Sequence, residues 1–403
     1  MKKTLLAASL MVAYAAVHAQ SSVTIYGIMD AGATYSDKVA SGTGTTSGRQ
    51  FGIGSGLLQS SRFGLRGSED LGGGLNATFS LEQGVGVDQG TGGTSTKAWS
   101  RRSVVGLSGK TFGTLDVGWR KDFLDDVGNF YGSVTPFGTF IFNGSLNNLN
   151  RASGGSRATN MVYYATGNFS GLRAYGTVGL GETSGSKRAG SAWGGGANYD
   201  GGIFSIGGGY WQSMRGTGTG AATSADQAAP NSVGCNGAAG GVAGDVCLTT
   251  WTIGAKVNAG PVLARGMYSL VQHPLVTTTG AAAPNFATTF TRSLGTGAFT
   301  SGGPNNTKGQ LLDVGLDYKL SAPALLKVSY LQSQYDFLGA SSEGKVRQLT
   351  VGGEYYLSKR TTVYATAASQ SADAMYTPGI LGTVGPGRDS KVAGVGAGMR
   401  HTF

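Results

Sequence analysis

The side chains of this chain that could do chemistry are charged ones, and their spacing suits a fixed field better than a reacting centre. Arg62 and Arg66 share one face of an alternating segment whose other face carries Phe63 and Leu65. By the same parity Arg102, Arg173, Lys256, Arg265 and Arg400 sit opposite apolar neighbours, and Arg157 begins another such segment. Carboxylates stand among them at Asp30, Glu82, Asp116 and Asp317, and a run of aspartates follows at Asp122, Asp125 and Asp126. Guanidinium groups stay charged at every relevant pH and cannot neutralise to escape desolvation. Opposed rows of Arg and Asp therefore hold a transverse field across a narrow water-filled gap, and the net charge biases which ions pass.

Other chemistries find little support. Ser108-Gly109-Lys110-Thr111 has the ending of a phosphate-binding loop, but the glycine needed five residues before Gly109 is Val104. Gly394-Val395-Gly396 lacks the following helix and downstream acid of a dinucleotide site. His18, His273 and His401 lie far apart, which leaves a metal without ligands. No serine motif sits near a positioned base, as a nucleophilic enzyme would need. No catalytic residue, cofactor or metal is expected. Cys235 and Cys247, twelve apart in a Gly/Ala/Ser-rich stretch, suit a disulfide that staples a loop in an oxidising compartment.

The segments that carry these charges alternate with a period of two, the signature of strands with a different solvent on each side. Near the C-terminus Val395, Ala397, Met399, His401 and Phe403 fall on one face, and Gly394, Gly396, Gly398, Arg400 and Thr402 on the other. Ser22–Tyr35 alternates likewise, with Val23, Ile25 and Met29 against Thr24, Tyr26 and Asp30. Paired segments follow: 61–67 with 74–83, 102–109 with 113–119, 161–166 with 172–180, and 191–199 with 203–211. Further pairs are 250–257 with 262–271, 310–320 with 325–335, and 346–357 with 362–368, before 392–403 ends the set. Glycine dilutes the alternation most at 191–199 and 203–211.

Sixteen such strands result, an even number with both termini on one side. Strands of about ten residues suit a tilted membrane crossing, and sixteen leave an aqueous lumen. The fold class expected is an all-β, antiparallel transmembrane barrel. Tight turns fall on the terminal, periplasmic side, and the long segments 36–60, 120–156, 213–248, 272–308 and 369–390 face outward.

The N-terminus fits that destination. Lys2 and Lys3, an apolar Leu5–Val17 core and Val17-His18-Ala19 form a secretory signal with a small-residue cleavage site. Residues 1–19 are expected to leave, and 20–403 to form one barrel domain. The 72 glycines, with only nine prolines and no Gly-X-Y period, exclude collagen and disfavour a helical fold. Net charge is +10, or +8 without Lys2 and Lys3. Arginines set within strands, not in clusters or tails, point away from nucleic acid as a partner.

The hairpin Ser61-Arg62-Phe63-Gly64-Leu65-Arg66-Gly67-Ser68-Glu69-Asp70-Leu71-Gly72 resembles that of Gram-negative general porins of the β-proteobacterial type. Ser22-Val23-Thr24-Ile25-Tyr26-Gly27, Val105-Gly106-Leu107-Ser108-Gly109, Leu357-Ser358-Lys359-Arg360-Thr361 and the Arg400-His401-Thr402-Phe403 end extend the resemblance over the mature chain. It implies a homotrimer of sixteen-stranded barrels, in contact with outer-membrane lipid and lipopolysaccharide. Each barrel would be narrowed by an inward-folded third external loop and would pass small hydrophilic solutes. That loop would be 121–156, with Asp122, Asp125, Asp126 and Thr135-Pro136-Phe137-Gly138. The basic ladder facing it would comprise Arg62 with Arg66 on the same face, Arg101 or Arg102, and Arg157, with Asp116 one strand on. Parity turns Arg102 inward. Where the family pattern has Asn-Ser-hydrophobic-Arg-Tyr, this chain has Asn160-Met161-Val162-Tyr163-Tyr164, one lumenal charge fewer. The basic surplus leads to an expected anion preference. A solute-specific channel is the rival within the class; a surface adhesin or a barrel enzyme is the rival outside it.

Overall fold

Apolar residues point outward and polar ones are buried, the reverse of a water-soluble sheet. In the computed structural model, which describes residues 22–40, 47–92, 97–132, 137–138, 157–216, 242–272, 274, 306–337, 343–373, 380 and 389–403, Val23, Ile25 and Trp251 are 65%, 60% and 55% exposed. Ser205, Thr250, Ser269 and Gln348 are buried, and the Thr252 and Ser269 hydroxyls meet at 2.9 Å. Such a surface is stable only in hydrocarbon, with water on the inner side. No helix among the described residues is long and apolar enough to cross a membrane.

The strands are β1 (Ser22–Ala40), β2 (Ser47–Ser55), β3 (Arg62–Gly72), β4 (Leu75–Gly86), β5 (Thr91–Gly92) and β6 (Arg102–Gly109). After β7 (Gly113–Lys121) comes helix α1 (Leu124–Tyr131), then β8 (Arg157–Ala165), β9 (Leu172–Gly179), β10 (Ala192–Asp200) and β11 (Phe204–Met214). The rest are β12 (Val246–Ala259), β13 (Val262–Gln272), β14 (Asn306–Lys319), β15 (Ala324–Phe337), β16 (Gly344–Tyr356), β17 (Thr361–Asp373) and β18 (Lys391–Thr402). All pair antiparallel with their neighbours. β18 returns to β1 from Ile28↔Thr402 to Ser36↔Gly394, and Gly27 and Phe403 exchange backbone hydrogen bonds at 3.1 Å. The sheet has no free edge there. Sixteen wall positions result, because β2 and β3 share one place beside β1 and β5 pairs only with the end of β4.

The wall departs from the expected pattern at 36–60. β1 continues to Ala40, and β2 takes up part of the expected loop. Phe51 and Ile53 alternate there with Gly52 and Gly54, and glycine on the inner face hides the period. Between β2 and β3 the chain bends inward at 56–61. Gly56 adopts φ +69°, and its amide donates to the Asp30 carbonyl at 2.7 Å. The fully buried Asp30 carboxylate accepts the Leu58 amide at 3.0 Å, the Gln59 amide at 2.7 Å and the Tyr364 hydroxyl at 2.6 Å.

Helix α1 lies on the inner face of the far wall, against β11, β12 and β13. Its apolar side carries Leu124, Val127 and Tyr131, preceded by Phe123, all buried. Glycines make room for it. A Cβ at Gly194 or Gly196 of β10 would lie 2.7 Å from the Phe123 ring, and one at Gly254 of β12 would lie 2.5 Å from Tyr131. The glycines that blurred the alternation in β10 and β11 are thus the floor on which the helix rests.

Removing the acceptor at Asp30 strands two backbone amides and a hydroxyl inside the barrel. Asp30→Ala should cost roughly 3 kcal/mol, read as a lower urea midpoint for the detergent-folded barrel. An unchanged midpoint would mean that the bend does not depend on this carboxylate.

Candidate functional site

On the wall from β3 to β8 the arginines converge. Alternation turns Arg62, Arg66 and Arg102 inward, and two carboxylates tie most of the group together. Glu82 on β4 accepts from Arg101 Nε at 2.6 Å and from the Tyr26 hydroxyl at 3.2 Å, with Arg62 Nη1 at 3.8 Å. Asp116 on β7 binds Arg102 Nη2 at 2.5 Å and also pairs with Arg120. Arg157 at the start of β8 donates its Nε to the Arg101 carbonyl at 2.9 Å. Arg66 lies over the Tyr26 ring at 5.3 Å.

Arg62, Arg66, Arg102, Arg157 and Asp116 stand on β3, β6, β8 and β7 of one stretch of wall. The choice between Arg101 and Arg102 dissolves, since Arg101, just before β6, bends in to Glu82 while Arg102 reaches Asp116. Arg120 is an addition. Two residues beyond an inward position, it follows Gly118 at φ +135°, where the β7–β8 register shifts. The extra residue of the bulge there lies on β8, between Ala158 and Met161, so β7 keeps its alternation and turns Arg120 to the same side as Asp116. Its parity with Asp116 was the available signal. Six arginines (Arg62, Arg66, Arg101, Arg102, Arg120 and Arg157) thus stand around the two carboxylates Glu82 and Asp116, so this stretch of wall has a positive surplus.

Helix α1 brings acids toward this surplus. Asp125 pairs with Lys121 Nζ at 2.5 Å. Asp126 accepts the Tyr163 hydroxyl at 3.0 Å, and the Arg120 guanidinium stacks on the same ring at 3.4 Å. Both acids lie in the first helical turn, where the macrodipole favours negative charge. Burial and the neighbouring Asp125 push the Asp126 carboxyl up, Arg120, Tyr163 and Arg173 pull it down, and it rests at about 6. Asp122 is buried just before the helix and accepts the Leu124 amide at 3.0 Å, which helps to seat the helix.

The far wall is closer to balance. Arg265 pairs with Asp317 and Lys327 with Glu354, all with largely buried side chains, and Arg400 lies 3.6 Å from Glu354. Lys256 sits over the Phe130 ring of α1 at 3.1 Å. Beyond the helix, the buried Phe137 lies by Lys327 at 5.2 Å, and Gly138 with φ +56° comes against the carbonyls of Leu57 and Leu58. Both ends of this segment are thus held. Cys247 is disulfide-bonded. Cys235, Thr135, Pro136 and His273 lie outside the described residues.

A family model described as Gram-negative porin matches residues 6–374. Outer membrane porin protein 32 of Delftia acidovorans is 30% identical over 421 aligned positions, which cover 100% of both chains. An outer membrane porin protein of Bordetella pertussis is 37% identical over 182 residues, 43% of this chain and 46% of that protein. Among solved structures, the anion-selective porin from Comamonas acidovorans superposes with a TM-score of 0.70 at 26% identity, covering 95% of this chain and 100% of that one.

The seating of α1 makes a direct test. Gly196→Leu would drive a side chain into Phe123, and chymotrypsin should then cut the folded barrel near Phe123 or Tyr131 while leaving the parent chain intact. Equal resistance would show that the helix does not rest on that glycine.

Proposed function

This chain belongs to the Gram-negative porin family, and on that premise we propose that its outer-membrane channel prefers anions and is narrowest where α1 meets the arginine wall. The observation that carries the reading is the sharing of just two carboxylates, Glu82 and Asp116, among four of the six arginines of β3 to β8 and their flanks. Arg62, Arg66, Arg101, Arg102 and Arg157 supply the positive side of the field. Asp116 spaces the guanidiniums, Asp125 and Asp126 supply the negative side, and Asp122 holds the start of the helix. A polar solute aligns its dipole with such a field, while an apolar one must displace oriented water. The anion selectivity of the Comamonas acidovorans porin supports the same sign. Transport is passive diffusion of small hydrophilic solutes and ions, with no catalytic step.

The outer surface supports assembly as a homotrimer. Around β16–β18 and β1–β2 it is lined by Ala33, Ala365, Ala367, Ala397, Val351 and Val395, which border a groove of about 830 Å³. Small side chains let another copy approach closely. On β10–β12 the outward residues are instead Trp193, Tyr210 and Trp251, with ring centroids 5.5 and 4.4 Å apart. Such aromatic belts mark a lipid interface, and there lipid and lipopolysaccharide are the expected neighbours. Residues 1–19 act as the cleaved signal, with Gln20 first in the mature chain. Cys235 is the partner of Cys247.

The purified mature protein in a planar bilayer under a KCl gradient tests the reading. Conductance in threes with a reversal potential toward chloride is expected; a cation preference would sink the arginine argument. Charges about 4 Å from a permeating ion are worth about 1 kcal/mol in water, a several-fold change in local ion concentration. Arg62→Ala with Arg101→Ala and Arg102→Ala should therefore lower the chloride-to-potassium permeability ratio roughly two- to fivefold. Glu82→Gln, which frees Arg62 and Arg101 from their shared carboxylate, should raise it by a similar factor. Movement of both variants in one direction would show that these groups act through folding rather than through charge.

A further inference from the structure

Tyr163 of β8 joins a cation of the wall to an acid of the inserted helix. Arg120 of β7 lays its guanidinium on the Tyr163 ring at 3.4 Å, while the hydroxyl of the same ring donates to Asp126 of α1 at 3.0 Å. One aromatic side chain therefore holds a cation on its face and a carboxylate at its tip. Arg120 is spoken for by Asp116, which also binds Arg102.

We propose that Asp126 is a specificity-determining residue of this channel, positioned by Tyr163, and that gain or loss of its proton sets how strongly anions are preferred. This rests on the channel reading above. The groups that face Asp126 come from every element packed on it. Asp125 is its neighbour on α1, Arg120 and through it Asp116 come from β7, Tyr163 from β8, and Arg173 and Tyr175 from β9. Tyr175 in turn is hydrogen-bonded to Asn198 of β10. Asp125 and Asp116 are the other acids of this set, against the guanidinium groups of Arg120 and Arg173. The half-buried Asp126 has a carboxyl lifted by burial to about 6, so its charge changes close to neutrality. Above that value the carboxylate opposes the arginine wall. Below it the Tyr163 hydroxyl faces a neutral acid, and the acidic side opposite the arginine wall loses one charge. Anion preference should accordingly strengthen as pH falls.

The test is the reversal potential of the full channel in a planar bilayer under a KCl gradient from pH 4.5 to 8. The parent protein should show a step centred near pH 6, with the chloride-to-potassium permeability ratio about two- to threefold higher on the acid side. Asp126→Asn should abolish the step and keep the acid-limb ratio at every pH. Tyr163→Phe keeps the ring under Arg120 but removes the donor that favours the ionised carboxylate, so its step should move to higher pH. Asp125→Asn should raise the ratio overall yet retain the step. A flat profile in the parent protein, or a step that survives in Asp126→Asn, would overturn the proposal while leaving anion preference intact. Absence of conductance or a cation preference at all pH values would instead overturn the channel reading on which it rests.

Discussion

In hydrocarbon a backbone amide has no water to turn to, so every strand that crosses must find a partner on both sides. Here that requirement is met by pairing β18 with β1, and much else follows from it. Closure fixes which face of each strand meets lipid and which meets water. Sixteen positions set a lumen too wide for strand side chains alone to fill, which leaves room for a helix inside. The charged residues acquire meaning only because closure has already turned them toward that shared interior.

Within the lumen two kinds of contact divide the work. Apolar contacts hold the inserted segment: Phe123 and Tyr131 lie on glycines of β10 to β12, and Phe137 is buried at the other end. Polar contacts order the charges, with Glu82 and Asp116 standing between guanidiniums that would otherwise repel one another. The bend at 56–61 joins the two systems. Asp30 fixes its backbone, and Leu57 and Leu58 then offer their carbonyl side to Gly138. The seat of the inserted helix is thus a property of wall and insert together.

The strand pattern was legible because lipid and water impose a strict period of two. Arg62, Arg66, Arg102 and Asp116 could be turned inward from Phe63, Leu65 and Leu107 by that rule alone. Legibility failed where glycine stood on the inner face. Gly52 and Gly54 concealed β2, and Gly194, Gly196 and Gly209 weakened β10 and β11, since glycine carries no polarity to read. Arg120 was passed over because the expected strand ended at Trp119 and gave residue 120 to the outer segment, and Arg102 was favoured over Arg101 because a residue ahead of a strand is not bound by its parity. Asp122 has a use that its charge did not reveal: its carboxylate accepts the Leu124 amide at the start of the helix. The pairing of Asp126 with Tyr163 joins positions 37 residues apart, which no local pattern could reveal.

The seam between β1 and β18 also has a consequence in time. On one side residues 28–36 pair with nearby β2 and β3, but on the other they wait for 394–402, far along the chain as it leaves the ribosome. No shorter product can close, and loop-closure entropy over that separation must be met before the seam bonds form. Until then the strands expose alternating apolar side chains and unpaired edges, the state most prone to aggregate. Closure of the seam therefore waits on residues 394–402, and such a protein depends on being kept apart from its own copies until then.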